Sequence, residues 1–217
     1  MQLTETPKFT VVVTVYEREH FIPRILHCLA AQQYTKWDAI FVYDGYSITS
    51  RQQVESFQYA TDLPIRFFDA VTVAGKWGNP ARRMGLQSAT GDFVCFIGHD
   101  CLIDKDYLSV HADQIGRDSE VLSVVSCRYW TLREPITAQP IEHPRYSRIV
   151  PPTVESPLFS WGDVDLTCMA FPRQKSLEVG VFGPEDDLVY SADWTGFEKC
   201  RAVMPVRVST DVVCAHF

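Results

Sequence analysis

The 217-residue chain has no apolar stretch approaching the roughly 18 residues that cross a bilayer. Its opening residues, MQLTETPKF, carry neither the basic nor the apolar region of a secretory signal. Basic charge is also scarce. Lys and Arg number 20 against 27 Asp and Glu, a formal charge of −7. That balance excludes a general nucleic-acid or anionic-membrane footprint, while allowing one small anion held by local Arg and Lys. The seven cysteines form no CxxC or Cys/His metal spacing, and their number is odd. Cys95 and Cys168 sit inside apolar runs. The expectation is a set of reduced core thiols in a cytoplasmic protein. Internal repeats, low-complexity tracts and linkers are missing too, so one domain over 1–217 is expected, with a substantial core.

What is present alternates between two hydrophobic periods. Phe9 to Val15 (FTVVVTV), Trp37 to Tyr43 and Pro64 to Asp69 read as strands. Between them, Ile22, Ile25, Leu26, Leu29 and Ala30 share one helical face, with Pro23 in the first turn. Arg51 to Tyr59 reads as a second helix. The alternation predicts an α/β protein with a parallel sheet and right-handed crossovers.

The stretch 77–104, WGNPARRMGLQSATGDFVCFIGHDCLID, is the centre of the chain. Its helical spacing runs through Ala81, Met84, Gly85, Leu86 and Ala89. A Thr90-Gly91-Asp92 turn follows, then the buried strand Phe93 to Ile97, then at once Gly98-His99-Asp100. Ligands of open α/β sheets bind beyond the carboxyl ends of strands. His99 and Asp100 are therefore either a site or a polar turn closing a strand. Asp44-Gly45 poses the same choice.

Further on, Lys105 to Ile115 reads as a helix and Val121 to Cys127 as a strand. The segment 128–163 holds six of the thirteen prolines, with Trp130, Tyr146, Trp161 and four arginines. Prolines oppose regular pairing. The segment is either an acceptor-binding lid or a surface-packed excursion. Leu166 to Phe171 reads as a strand and Arg173 to Val179 as a short helix. Glu185-Asp186-Asp187 reads as a solvated turn. A helix starts near Asp193, where a carboxylate also suits the helix dipole. Val206 to Val213 is the final strand, with His216 beside the fraying end.

Taken together, these motifs resemble the family 2 glycosyltransferases, inverting enzymes of the GT-A fold. FTVVVTVYEREHFIPRILHCLAAQQYTKWDAIFVYDG is similar to the family's opening strand–helix–strand. GNPARRMGLQSATGDFVCFIGHD is similar to its second signature, EVGVFGPEDDLVYSADW to its third, and VVCAHF to its closing strand. The resemblance implies a Rossmann-like, mostly parallel sheet with helices on both faces, plus a small mixed sheet. It implies a nucleotide-binding half, 1–100, and an acceptor-binding and catalytic half, 101–217. It implies Thr14 and Tyr16 at the edge of the uracil or ribose pocket, Asp44 on the base or ribose, Arg82 near the diphosphate or holding the site's carboxylates, and His99 as a metal ligand or a hydrogen-bond partner of the diphosphate. Asp100 and His216 would ligate Mn²⁺ or Mg²⁺, and Asp193 would be the base.

The implied reaction moves a sugar from a nucleotide-sugar donor, UDP-linked, to a hydroxyl of a glycan or glycolipid acceptor. Surface polysaccharide assembly is the implied setting, in the cytoplasm or peripherally at the inner face of the membrane. The sequence departs from the family in four places. Gly98-His99-Asp100 keeps one carboxylate, Tyr43 precedes Asp44, Ala192 precedes Asp193, and Arg83 stands where Asn is usual. These departures motivate a second expectation, a non-catalytic sugar-nucleotide-binding subunit. A third expectation, an unrelated nucleotide-binding domain, requires a continuously parallel sheet.

Overall fold

The computed structural model describes residues 3–70, 78–129, 148–150, 164–187 and 191–216. Trp77 and nearly all of the proline-rich segment lie outside these residues. Among the described residues, nine strands form one sheet, in the order β3-β2-β1-β4-β8-β6-β9-β5, with β7 paired to β6. Strands β1 (Phe9–Val15), β2 (Trp37–Asp44), β3 (Ile65–Ala70) and β4 (Phe93–Gly98) make a parallel half. The β-branched and aromatic runs of β1, β2 and β4 are buried on both faces, as covered parallel strands require, while the edge strand β3 is half-buried along its middle. Between them lie α1 (Ile22–Ala30), α2 (Ile48–Thr61) and α3 (Asn79–Ser88).

The second half is mixed. It contains β5 (Cys101–Ile103), α4 (Tyr107–Ile115), β6 (Leu122–Tyr129) and β7 (Arg148–Val150). It continues through β8 (Met169–Pro172), α5 (Arg173–Glu178), α6 (Ala192–Arg201) and β9 (Val206–His216). β8 pairs antiparallel with both β4 and β6, so the mixed strands continue the parallel sheet rather than standing apart. This rejects a continuously parallel sheet.

Two sequence expectations are corrected. Leu166–Cys168 is a 3-10 turn, not the start of a strand. The preceding Asp165 accepts a hydrogen bond from the Thr167 amide at 2.8 Å, which curls the chain before β8 begins. The last strand also runs on through His216, which sits opposite Cys101 on β5 and Tyr129 on β6. Pairing on both sides fixes that residue where fraying was expected.

Close approach sets the helix–sheet spacing at the turn before β4. The amides of Thr90 and Gly91 donate to the Thr10 hydroxyl at 3.1 and 2.9 Å. A Cβ on Gly91 would stand 2.6 Å from the Thr10 nitrogen and 2.8 Å from the Lys8 oxygen. Both atoms belong to the backbone and cannot swing away. Gly91→Ala is therefore expected to cost about 1–3 kcal/mol, seen as a lower urea midpoint at constant m-value. Wild-type stability would refute this account of the turn.

His111 on α4 is buried, with Nδ1 2.8 Å from the Ser123 hydroxyl. Burial pulls its pKa from 6.5 down to about 3. The native imidazole stays neutral while the unfolded one takes a proton. Its contribution is thus intact above its unfolded pKa. It is lost at about 1.4 kcal/mol per pH unit as pH falls from there toward the folded pKa. Urea unfolding at about pH 7 and about pH 5 should show a shallower loss in His111→Gln than in wild type. Equal slopes in the two proteins would exclude His111 as the source.

Candidate active site

The parallel strands deliver their carboxyl ends to one edge, beside the reversal where β1 lies between β2 and β4. Asp44 closes β2 there. Asp100 follows β4 through Gly98-His99. A Cβ on Gly98 would stand 2.7 Å from the Asp100 carboxylate, so the glycine lets that side chain fold back. α3 begins at the same edge, after Gly78 in the left-handed conformation (φ 74°). Asp193 occupies the first turn of α6, accepting from the Trp194 amide at 2.8 Å.

Arg82 joins these parts. Its guanidinium interacts electrostatically with Asp193, Asp165, Asp44 and Asp100. Four carboxylates contributed by distant segments thus lie within electrostatic reach of one cation, whose guanidinium donates to Asn79 Oδ1 at 2.9 Å. Burial lowers the Arg82 pKa against those four charges, yet an arginine stays protonated in water-accessible protein. Burial raises Asp44, with Arg82 opposing. Burial also raises Asp193, aided by Asp165 and opposed by the Trp194 amide and Arg82.

His99 Nδ1 lies 3.3 Å from the Thr14 carbonyl. A carbonyl only accepts, so Nδ1 carries the proton and Nε2 keeps its lone pair. That Nε2 is buried with no hydrogen-bond partner among the described residues. Burial holds His99 below the usual imidazole range, with Asp100 opposing. Tyr16 stands at the rim, 48% exposed, with its hydroxyl on Glu17 and Asp44 within electrostatic reach.

Two polar residues escaped the sequence reading. Arg18 reaches Asp100 at 3.4 Å from the turn after β1. Asp165, 7% exposed, meets His216 Nδ1 at 3.0 Å, while His216 Nε2 lies 3.8 Å from Asp100. Burial pulls His216 down, but the bond and charge of Asp165 and the charge of Asp100 outweigh it, raising the pKa to about 9. The polar run Tyr16 to His20 after an apolar strand was a legible hint of Arg18. Asp165 had none, because it follows the proline-rich stretch.

The acidic turn is also corrected. Asp186 and Asp187 are buried, not solvated. Lys199 bonds Asp186 at 2.7 Å and Glu185 at 2.9 Å, Arg83 bonds Asp187 at 2.7 Å, and the Asn79 amide donates to the Asp186 carbonyl at 2.6 Å. This clamp ties α3 to α6 and so holds Arg82 near Asp193. It also gives Arg83 a task where Asn is usual. Phe182 in the same turn adopts φ 55°, a strained conformation for a bulky residue, with its ring packed on Phe96.

A divalent ion has a donor set available here. Ligating atoms of Asp100, Cys101 and His216 all lie within 4.8 Å of one another. One carboxylate oxygen and one imidazole nitrogen fit Mn²⁺ better than Mg²⁺. Among the described residues, no helix is long and apolar enough to cross a membrane.

The profile of Glycosyl transferase family 2 matches residues 10–178. Poly(ribitol-phosphate) beta-N-acetylglucosaminyltransferase TarS of Staphylococcus aureus is 33% identical over 103 residues, 46% of this chain and 18% of TarS. The amylovoran biosynthesis glycosyltransferase AmsB of Erwinia amylovora is 33% identical over 110 residues, 50% of this chain and 36% of AmsB. The chain therefore spans well under half of each of these two relatives. Among solved structures, S. aureus TarS 1-349 in complex with UDP-GlcNAc superposes with a TM-score of 0.69 at 18% identity, covering 96% of this chain and 58% of that one. Mannosyltransferase PcManGT from Pyrobaculum calidifontis, in complex with GDP-Man and Mn2+, gives 0.66 at 20% identity, covering 100% and 59%. These two likenesses concern the fold, which is the GT-A fold. The sheet, the ordered motifs and the matched profile agree, and the chain belongs to glycosyl transferase family 2.

Proposed function

We propose that the domain transfers a sugar from a UDP-sugar to a hydroxyl of a glycan acceptor, with inversion, in the assembly of a surface polysaccharide. The reading is supported by one convergence: Asp44, Asp100, Asp165 and Asp193, from four separate segments, all act electrostatically on Arg82, and His216 lies 3.0 Å from Asp165 and 3.8 Å from Asp100. Thr14, Tyr16 and Asp44 would edge the nucleoside, and the free lone pair of His99 would accept from a ribose or base donor. Arg82 and Arg18 would face the diphosphate. Asp193 would take the proton of the attacking hydroxyl on the face opposite the leaving group. Its raised pKa moves it toward the operating range of a base. Asp165 would orient His216 by fixing its Nδ1 proton, as partners of ligating histidines do. Asp100 and His216 would hold Mn²⁺, which supplies Lewis-acid stabilisation of the departing diphosphate. UDP-GlcNAc and GDP-Man in the two structural neighbours support a nucleotide-sugar donor. The first half of the chain, 1–100, would serve the donor and the second the acceptor.

A second reading, a sugar-nucleotide-binding subunit without turnover, is favoured by the single carboxylate of Gly98-His99-Asp100 and its pairing with Arg18. A panel of UDP- and GDP-sugars with glycan acceptors, with and without EDTA, separates the two. Nucleotide release with an inverted anomeric product supports the transferase. Calorimetric binding without release supports the subunit. Neither binding nor release removes both.

A further inference from the structure

Beside Asp165 and His216 lie three sulfurs that the proposed chemistry does not use. Cys127 on β6, Cys168 at the end of the 3-10 turn and Cys214 on β9 place their Sγ atoms within 4.8 Å of one another. None of the three is in a disulfide, and they are exposed by 0%, 0% and 5%. Cys127 and Cys214 are register partners across parallel strands, just past an irregularity in the ladder. Cys168 enters from a separate element, so the convergence is tertiary. Elsewhere the ordinary use of cysteine as a small core hydrophobe suffices, as for Cys95 and Cys200. Three thiols from three elements around one point offer a different chemistry.

Cys214 and His216 lie two residues apart on one strand and so share a face. The cluster thus sits roughly 7 Å along the strand from His216. The Asp165 carboxylate acts electrostatically on Cys168 and Cys214.

We propose that Cys127, Cys168 and Cys214 form a trigonal thiolate site for a thiophilic divalent cation of the Zn²⁺ and Cd²⁺ class. On binding, every S–H bond still present breaks, its proton leaves to solvent and three metal–sulfur bonds form, with no change of oxidation state. The product is a metal tris-thiolate of net charge −1. Zn–S bonds of about 2.3 Å in a trigonal plane separate the sulfurs by about 4.0 Å. The thiols need close by less than an ångström from the observed envelope. Three soft sulfur donors select this class of ion, whereas Asp100 and His216 set a carboxylate and an imidazole beside the single sulfur of Cys101 and suit harder ions better. The two donor sets therefore sort cations by chemistry. Occupancy would also reach the cleft, because the Cys168 amide donates to the Asp165 carbonyl at 2.9 Å.

The test is independent of sugar transfer. The full chain, reduced and stripped with chelator, is titrated with Cd²⁺ without nucleotide. The expected result is an ultraviolet sulfur-to-cadmium charge-transfer band saturating at one ion per chain. Cys127→Ser and Cys214→Ser should lose the band, and Cys28→Ser, at a half-buried thiol outside the cluster, should keep it. No band at one equivalent, or an undiminished band in both cluster variants, overturns the proposal. Should those variants fail to fold, cadmium-113 NMR of the wild type decides. A resonance in the far-downfield all-thiolate region supports the site, and one in the oxygen and nitrogen region refutes it.

Discussion

Asp193→Asn is expected to lower sugar transfer by about 10²–10⁴-fold while nucleotide affinity stays nearly unchanged. The amide keeps the shape of the carboxylate and can still accept from the Trp194 amide, as Asp193 Oδ1 does at 2.8 Å. What it cannot do is take a proton. The sign of the pH effect follows from the same group. Burial raises the Asp193 carboxyl above its ordinary value. The working form is the carboxylate, so wild-type turnover should fall as pH drops through that raised pKa. The variant should lose this acid limb from its residual rate. The checks are kcat and KM across pH, with calorimetry for UDP binding. An Asp193→Asn protein with wild-type kcat would leave the base unassigned and favour another acceptor of the proton.

Removing the central cation should have the second large effect. Arg82→Met keeps much of the aliphatic volume but strands Asp193, Asp165, Asp44 and Asp100 around an uncharged side chain. Breaking a buried ionic set by deleting one partner costs about 3–5 kcal/mol. Arg82 is half-buried, so the lower end applies. Asp44 and Asp193 are both held down by Arg82 and should titrate higher without it. The variant's folded state then binds protons that the unfolded chain does not. Its deficit should therefore shrink as pH falls from about 7 toward the carboxylate range. Urea unfolding at two pH values reads this directly. An equal deficit at both would mean lost packing rather than lost charge. Weakened UDP binding is the expected companion, since a facing guanidinium would be gone.

The same two residues mark the limits of reading the chain. Arg82 could be placed on a helix from the spacing of Ala81, Met84 and Gly85. Its four partners come from residues 44, 100, 165 and 193, and no local pattern predicts that they share one cation. Asp186 and Asp187 looked like solvent-facing charge because their partners, Lys199 and Arg83, come from two other helices. The strand expected at Leu166 failed for a different reason. Its apolar composition was right, but one side-chain hydrogen bond from Asp165 outweighed it.

By itself, the order of residues determined the strands and helices of the parallel half, the glycine turns and the polar ends of β2 and β4. Those features follow from local periodicity and from the backbone freedom of a few positions. The chain order of the motifs also sufficed to indicate the family. Only the tertiary structure decided that the mixed half continues the same sheet, that His216 is held on both flanks, and that Asp165 stands behind it. Burial and charge pairing act between segments scores of residues apart, and their energies depend on distances that sequence spacing does not encode.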